Sequence, residues 1–149
     1  MQPVYITGHS RPVRKVLHNQ DGDLLFSCSD DGTVCMFSTQ QCERIGVFEI
    51  KEACRSIDVS KDSKLLIAAA TTIGFHVFSV ETGVLLKTVN VPGLQAKHVV
   101  MSYSDKEILV LYDESKRSYI RIYNTKDVMA DKADKDVKPV QEIACSSDY

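Results

Sequence analysis

Four histidines (His9, His18, His76 and His98), five cysteines (Cys28, Cys35, Cys42, Cys54 and Cys145) and the adjacent carboxylates Asp30 and Asp31 carry most of the chemical potential of this 149-residue sequence. The histidines fall on different predicted strands or turns. No glycine-rich phosphate loop, paired metal ligands or nucleophile elbow accompanies them. The cysteines are odd in number and widely spaced, without a C-x-x-C pair, so neither a disulfide framework nor a zinc site is supported. They read as buried free thiols, small and apolar enough for strand interiors. Two neighbouring carboxylates could begin a metal site, but followed by Gly32 they read as a turn. The expectation is a protein that is not an enzyme, with no catalytic residue, no metal and no cofactor.

Composition narrows the class further. The chain is 44% apolar and 26% charged, an ordinary soluble composition long enough for one core. No stretch approaches the ~20 apolar residues of a membrane span, and no apolar segment follows Met1, which predicts no membrane partner and a cytoplasmic location. The 18 basic and 20 acidic side chains nearly cancel, and no basic run stands apart from acids. Direct sequence-specific nucleic-acid binding is therefore not expected.

The elements that must position these residues begin with Leu24 to Ser38. Two short runs rich in β-branched and aromatic residues flank Asp30-Asp31-Gly32, a strong local signal for an antiparallel hairpin. A hairpin alone is marginal in water, so it must repeat or pack. It repeats at a constant offset of 41 residues: Arg14 lies over Arg55, Leu24 over Leu65 and Phe37 over Phe78. A looser third copy has Ile108 to Leu111 and Tyr119 to Tyr123 as strands, joined by a long charged loop, Tyr112 to Ser118. A period of roughly 40–45 residues with several strands per unit indicates propeller blades rather than a helical solenoid. The predicted units are blade 1 at about 8–50, blade 2 at about 51–91 and blade 3 at about 94–145. Within blade 1 the innermost strand is Arg11 to His18 and the outer one Arg44 to Ile50. Blade 2 has its outer strand at Val84 to Val91, and blade 3 has Lys97 to Ser102 innermost and Val140 to Ala144 outermost. Residues 125–138 alternate acids and bases with almost no apolar content and read as a solvated loop or frayed turn.

Gly8-His9, Asp21-Gly22, Ser27 to Val34 and the closing aromatic Phe37 resemble a WD40 repeat. The resemblance implies an all-β WD40 β-propeller, about three four-stranded blades of a seven-bladed ring. It also implies a polar network linking a His, a strand Ser or Thr, the turn Asp and a Trp. Here His9 and Asp31 match, and Ser27 or Ser29, which share a face, supplies the third member. Phe37 stands at the Trp position, has no N–H to donate and can only pack. Blade 2 departs further, with Ala68 and Ala70 at the serine positions and Thr72 at the Asp position.

A narrower resemblance lies in Met1-x-Pro3, Gly22 to Phe26, Glu43 to Gly46, Glu81-Thr82-Gly83 and Ile143-x-Cys145. In order and spacing these are similar to the WD-repeat subunit I family of eukaryotic translation initiation factor 3. That family implies a non-enzymatic scaffold making protein–protein contacts during assembly of the initiation complex. Its partners would be the other subunits of translation initiation factor 3 and, through them, the small ribosomal subunit. The alternative is a WD40 signalling adaptor that binds a kinase or receptor tail. The resemblance further implies that residues 1–7 supply the strand closing the ring in the last blade. Three blades cannot close a ring, so the sequence is expected to be a portion of a longer propeller, with self-association as the other route to closure.

Overall fold

The hairpin around Asp30-Asp31-Gly32 is the seed from which the first sheet is built. In the computed structural model, which describes residues 8–91, 93–114, 117–129 and 138–145, β2 (Leu24–Ser29) pairs with β3 (Thr33–Ser38) across this turn. Gly32 takes φ 85°, a left-handed conformation that costs a glycine little. β1 (Val13–His18) adds on one side and β4 (Glu43–Glu49) on the other, giving the antiparallel order β1-β2-β3-β4. A second sheet, β5 (Cys54–Val59), β6 (Leu65–Ala70), β7 (Gly74–Ser79) and β8 (Leu85–Asn90), has the same sequential order. The third contains β9 (Gln95–Met101), β10 (Glu107–Glu114), β11 (Arg117–Asn124) and β12 (Gln141–Cys145), with the helical turn α1 (Thr125–Met129) between its last two strands.

Strand alternation explains how three sheets share a core. Along β6, Leu66, Ala68 and Ala70 face the first sheet, where they meet Phe26, Cys28, Val34 and Phe48. Ile67 and Ala69 face the third, against Ala96, Val99, Val110, Tyr112 and Tyr123. Five consecutive residues, Leu66 to Ala70, are thus fully buried, as expected of a strand covered on both faces. Edge-to-face pairs reinforce each seam: Phe48 with Phe78 at 5.4 Å, and Phe75 with Tyr123 at 5.2 Å. Each such pair adds about 0.5–1.5 kcal/mol beyond area burial.

Polar ties cross the same seams near the inner strands. Ser56 Oγ accepts the Val99 N–H at 3.3 Å, and Asp58 Oδ2 accepts the Met101 N–H at 2.7 Å. Asn19 donates to Ser63 Oγ at 3.0 Å, and the Lys61 N–H donates to Asp105 Oδ2 at 2.8 Å. Ser63 and Asp105 both have positive φ, 59° and 58°, in equivalent turns of successive sheets. Gly22 has the same sign, φ 75°, in the equivalent turn of the first sheet, and it lacks a side chain with which to reach outward.

Several expectations need correction. The strands β10 and β11 continue to Glu114 and from Arg117, so Tyr112 to Ser118 forms mostly paired strand rather than a long charged loop. Tyr112 is buried against the second sheet, which draws the strand outward past the point where charge suggests a break. Thr125 to Met129 is helical rather than solvated loop, because Val128 is fully buried in the seam between the second and third sheets. Residues 130–137 and the expected closing strand at 1–7 lie outside the described residues. Strand limits differ by one or two residues elsewhere. Cys42 is exposed, not buried, since it takes φ 56° in the turn before β4.

Gly74 marks the tightest backbone approach. It has φ 141°, and a Cβ placed there would lie 2.0 Å from the carbonyl oxygen of Val89 on the neighbouring strand. Replacement Gly74→Ala is expected to lower stability by about 3 kcal/mol or more, combining overpacking with backbone strain. Chemical denaturation of the two chains measures this directly.

Candidate functional site

The principal cluster of chemical side chains is held by the segment before β1, by β2 and by the turn into β3. The His9 Nδ1 lies 3.0 Å from Asp31 Oδ2, and its Nε2 lies 2.7 Å from Ser27 Oγ. An ionised Asp31 only accepts, so Nδ1 carries the donated hydrogen, and Nε2 bonds the Ser27 hydroxyl, which can serve as donor or acceptor. Asp31 also receives the Ser10 N–H at 3.1 Å, the Thr33 N–H at 2.9 Å and the Thr33 hydroxyl at 2.6 Å. Partial burial opposes ionisation of Asp31. The hydrogen bonds from Thr33, His9 and Ser10 more than offset it, bringing its pKa from 3.8 down to about 2.

The two candidate serines have separate jobs. Ser27 bonds the imidazole, whereas Ser29 is turned to the chain itself, donating to the Arg11 carbonyl at 3.0 Å and accepting the Asp31 N–H at 3.1 Å. Phe37 is buried and packs against Gly8, where an added Cβ would come within 3.1 Å of its ring. Thr33, a fourth polar member close to both His9 and Asp31, was not among the residues singled out from the sequence. Its position directly after Asp-Asp-Gly was the available signal.

In order, the group reads Asp–His–Ser, the sequence of contacts in a proton relay to a hydroxyl. It lies at the wall of a hollow of about 350 Å³ shared with Val13, Val16 and Leu25. Both Asp31 oxygens, however, are taken by chain-tethering donors: the cluster joins residues 9–10, β2, the turn and the start of β3. His18, His76 and His98 are not brought to it. His76 is buried and hydrogen-bonds Thr88 Oγ1 across the β7–β8 pair at 2.8 Å.

The second sheet closes its corresponding turn differently. Glu52, in the segment before β5, accepts the Thr72 N–H at 2.8 Å and the Ile73 N–H at 3.1 Å, and also bonds the Thr72 hydroxyl. A carboxylate arriving from the preceding segment thus replaces the one in the turn. Cys28 and Cys54 are both fully buried at the first seam. The neighbouring Cys28 and burial together push the Cys54 thiol far up, so Cys54 stays protonated. Among the described residues, no group of three or more His, Cys, Asp or Glu is placed to hold a metal ion. No helix among them is long and apolar enough to cross a membrane.

Comparison with known proteins agrees with this geometry. Residues 1–38 match the WD40 family, described as "WD domain, G-beta repeat". Residues 1–38 thus carry the match to a WD40 repeat. Curated relatives of this chain are named eukaryotic translation initiation factor 3 subunit I. That of Dictyostelium discoideum is 38% identical over 114 residues, 76% of this chain and 34% of the relative. That of Schizosaccharomyces pombe is 32% identical over 115 residues, 76% of this chain and 35% of the relative. That of Vanderwaltozyma polyspora is 31% identical over 143 residues, 95% of this chain and 41% of the relative. The chain therefore spans roughly a third to two fifths of the length of these relatives. Among solved structures, "Structure of U3-55K" superposes with a TM-score of 0.78 at 11% identity, covering 93% of this chain and 41% of that one. "Crystal structure of RRP9 WD40 repeats" gives 0.77 at 11% identity, covering 93% and 40%. Both share the fold.

Two outcomes follow for the cluster. Asp31→Ala leaves several donors without an acceptor and should cost about 1–3 kcal/mol, read from thermal or denaturant unfolding. Because the folded pKa of Asp31 lies below its ordinary value of 3.8, its stabilising contribution is complete above that pH. It is lost as pH falls toward about 2. Melting curves across that range should fall more steeply for the parent than for Asp31→Asn.

Proposed function

We propose that this chain serves as a non-enzymatic scaffold within eukaryotic translation initiation factor 3, making protein–protein contacts as the initiation complex assembles on the small ribosomal subunit. The observation that carries this reading is the run of relatives named subunit I of that factor, at 31–38% identity. The geometry is compatible with it: rigid stacked sheets offer turns and edges as recognition surfaces, and the His9, Ser27, Asp31 and Thr33 cluster serves to fasten the first sheet. Ser29 fastens the turn, and Phe37 contributes packing only.

In this reading the three sheets are an arc of a seven-bladed ring, with residues 1–7 in its last blade. The open face of the first sheet supports that picture. Val16, Ser27, Cys35 and Val47 lie in one row across it, with Val16 and Val47 exposed. The open face of the third sheet is likewise apolar at Val100, Leu109 and Ile122, with Val100 exposed. Such faces are suited to packing against another sheet. The partners are other subunits of the factor, and the location is cytoplasmic.

The test is gradient sedimentation of tagged chain from its own cells, with quantification of the other factor subunits in the same fractions. The expected result is co-migration with those subunits and with the small ribosomal subunit. Migration free of both, with a kinase or receptor tail recovered instead, would return the assignment to a signalling adaptor.

A further inference from the structure

Each innermost strand departs from regular pairing at one place, and in each case the residue there is a cation. In β1 the register shifts between Val13 and Lys15, leaving Arg14 extra. In β5 it shifts between Cys54 and Ile57, across Arg55 and Ser56. In β9 the partners jump from His98 to Ala96, leaving Lys97 extra. A bulge re-aims the side chain it carries and recurs next to functional sites. Neither alternation nor packing requires a basic residue at these positions.

The three strands run in step, so these cations share one end of the fold. Lys15 reaches Ser56 Oγ at 3.4 Å, Ser56 reaches the Val99 N–H and Asp58 reaches the Met101 N–H, a constant register from sheet to sheet. Arg11, exposed in the segment just before β1, lies at the same end. One carboxylate answers this group. Arg14 Nε donates to Asp30 Oδ1 at 2.8 Å, and its Nη2 bonds Oδ2. The Asp30 carboxyl is held below its ordinary value first by that hydrogen bond and further by the charges of Arg14, Arg55 and Arg11. The side chain of Arg14 is still 48% exposed, and Arg55 and Arg11 are exposed with no carboxylate among the described residues within ion-pair distance.

Beyond Lys97 the sign changes. Lys97 shares a hollow with Asp113 and Glu114 on β10. Over the first two sheets the carboxylates at this end are engaged, Asp30 by Arg14, Asp31 by His9, Ser10 and Thr33, and Glu52 by Thr72 and Ile73, whereas the third sheet presents Asp113 and Glu114 beside its lysine.

We propose that Arg11, Arg14 and Arg55 form a docking site for a short acidic segment of a partner protein. Guanidinium groups present planar forks that take carboxylates in pairs, and three within one field suit two or three closely spaced Asp or Glu residues. A nucleic-acid strand is the poorer fit. Its continuous phosphate charge, followed along the rim, would meet Asp113 and Glu114, whereas a peptide can end or turn neutral there. Asp30 holds Arg14 in place and leaves Arg55 and Arg11 available. The proposal does not depend on the translation-factor reading, since the rim is a property of the sheets themselves.

Fluorescence anisotropy on the full chain tests it with three labelled probes: a short Glu-rich peptide, its Gln counterpart and a uridine oligonucleotide. The Glu-rich peptide should bind and weaken steeply as ionic strength rises, while the Gln peptide stays unbound. Arg55→Glu, at an exposed side chain outside any ion pair, should weaken binding by roughly tenfold or more with the melting temperature unchanged. If that variant unfolds, Arg55→Gln replaces it, with several-fold weakening expected. The proposal is overturned by absence of Glu-peptide binding, by equal binding of the Gln peptide, by affinity indifferent to Arg55, or by tighter binding of the oligonucleotide.

Discussion

Burial of the middle sheet on both faces is the constraint from which the rest of this structure follows. A strand that must present Leu66, Ala68 and Ala70 to one neighbour and Ile67 and Ala69 to the other has no face left for solvent or for an unpaired polar group. Small residues let neighbouring sheets approach, and large rings at Phe48, Phe78, Phe75 and Tyr123 fill the wider parts of each seam. The same condition explains why the polar cluster resides in the first sheet. Ser27 and Ser29 stand where the second sheet has Ala68 and Ala70, and only the first sheet has His9 and the turn nearby to satisfy their hydroxyls.

The first two sheets close their top turns with different material. The first uses Asp31 from within the turn, aided by His9 and Thr33. The second has Thr72 there and borrows Glu52 from the segment ahead of its inner strand. The requirement is the same in both: backbone N–H groups at a tight reversal need an acceptor. A family pattern that is broken at the level of residue types is thus kept at the level of hydrogen bonding.

What the sequence made legible, and what it did not, follows from how local each signal is. Asp30-Asp31-Gly32 identifies its turn because the left-handed position falls on glycine, and the offset between Phe37 and Phe78 reveals the repeat without any structure. Ser63 and Asp105 occupy the same conformation without being glycine, so their turns carry a weaker mark. The choice between Ser27 and Ser29 is invisible to parity, since both point to one side, and depends on the place of the His9 ring. Glu52 lies 20 residues from the turn it serves. Val128 and Met129 look like stray apolar residues in a charged run until the seam they cover is known. The bulges at Arg14, Arg55 and Lys97 leave no trace in hydrophobic alternation, because a displaced register is a property of two strands together.

The placement of the sheet-to-sheet hydrogen bonds gives the assembly a directional mechanics. Among the described residues, those from Asn19, Lys15, Ser56, Asp58, Lys61 and Ala96 start from the innermost strands or the turns beside them, the Ala96 N–H reaching the Thr71 carbonyl in the β6–β7 turn at 3.1 Å. Farther out, ring pairs such as Phe48 with Phe78 and Phe75 with Tyr123 fill the seams with nonpolar contact, which resists pulling apart but offers little directional stiffness. Sliding one sheet along its neighbour would break several of these bonds at once. These bonds therefore hold the register of one sheet against the next at the inner edge, where a shift of one residue would break them together.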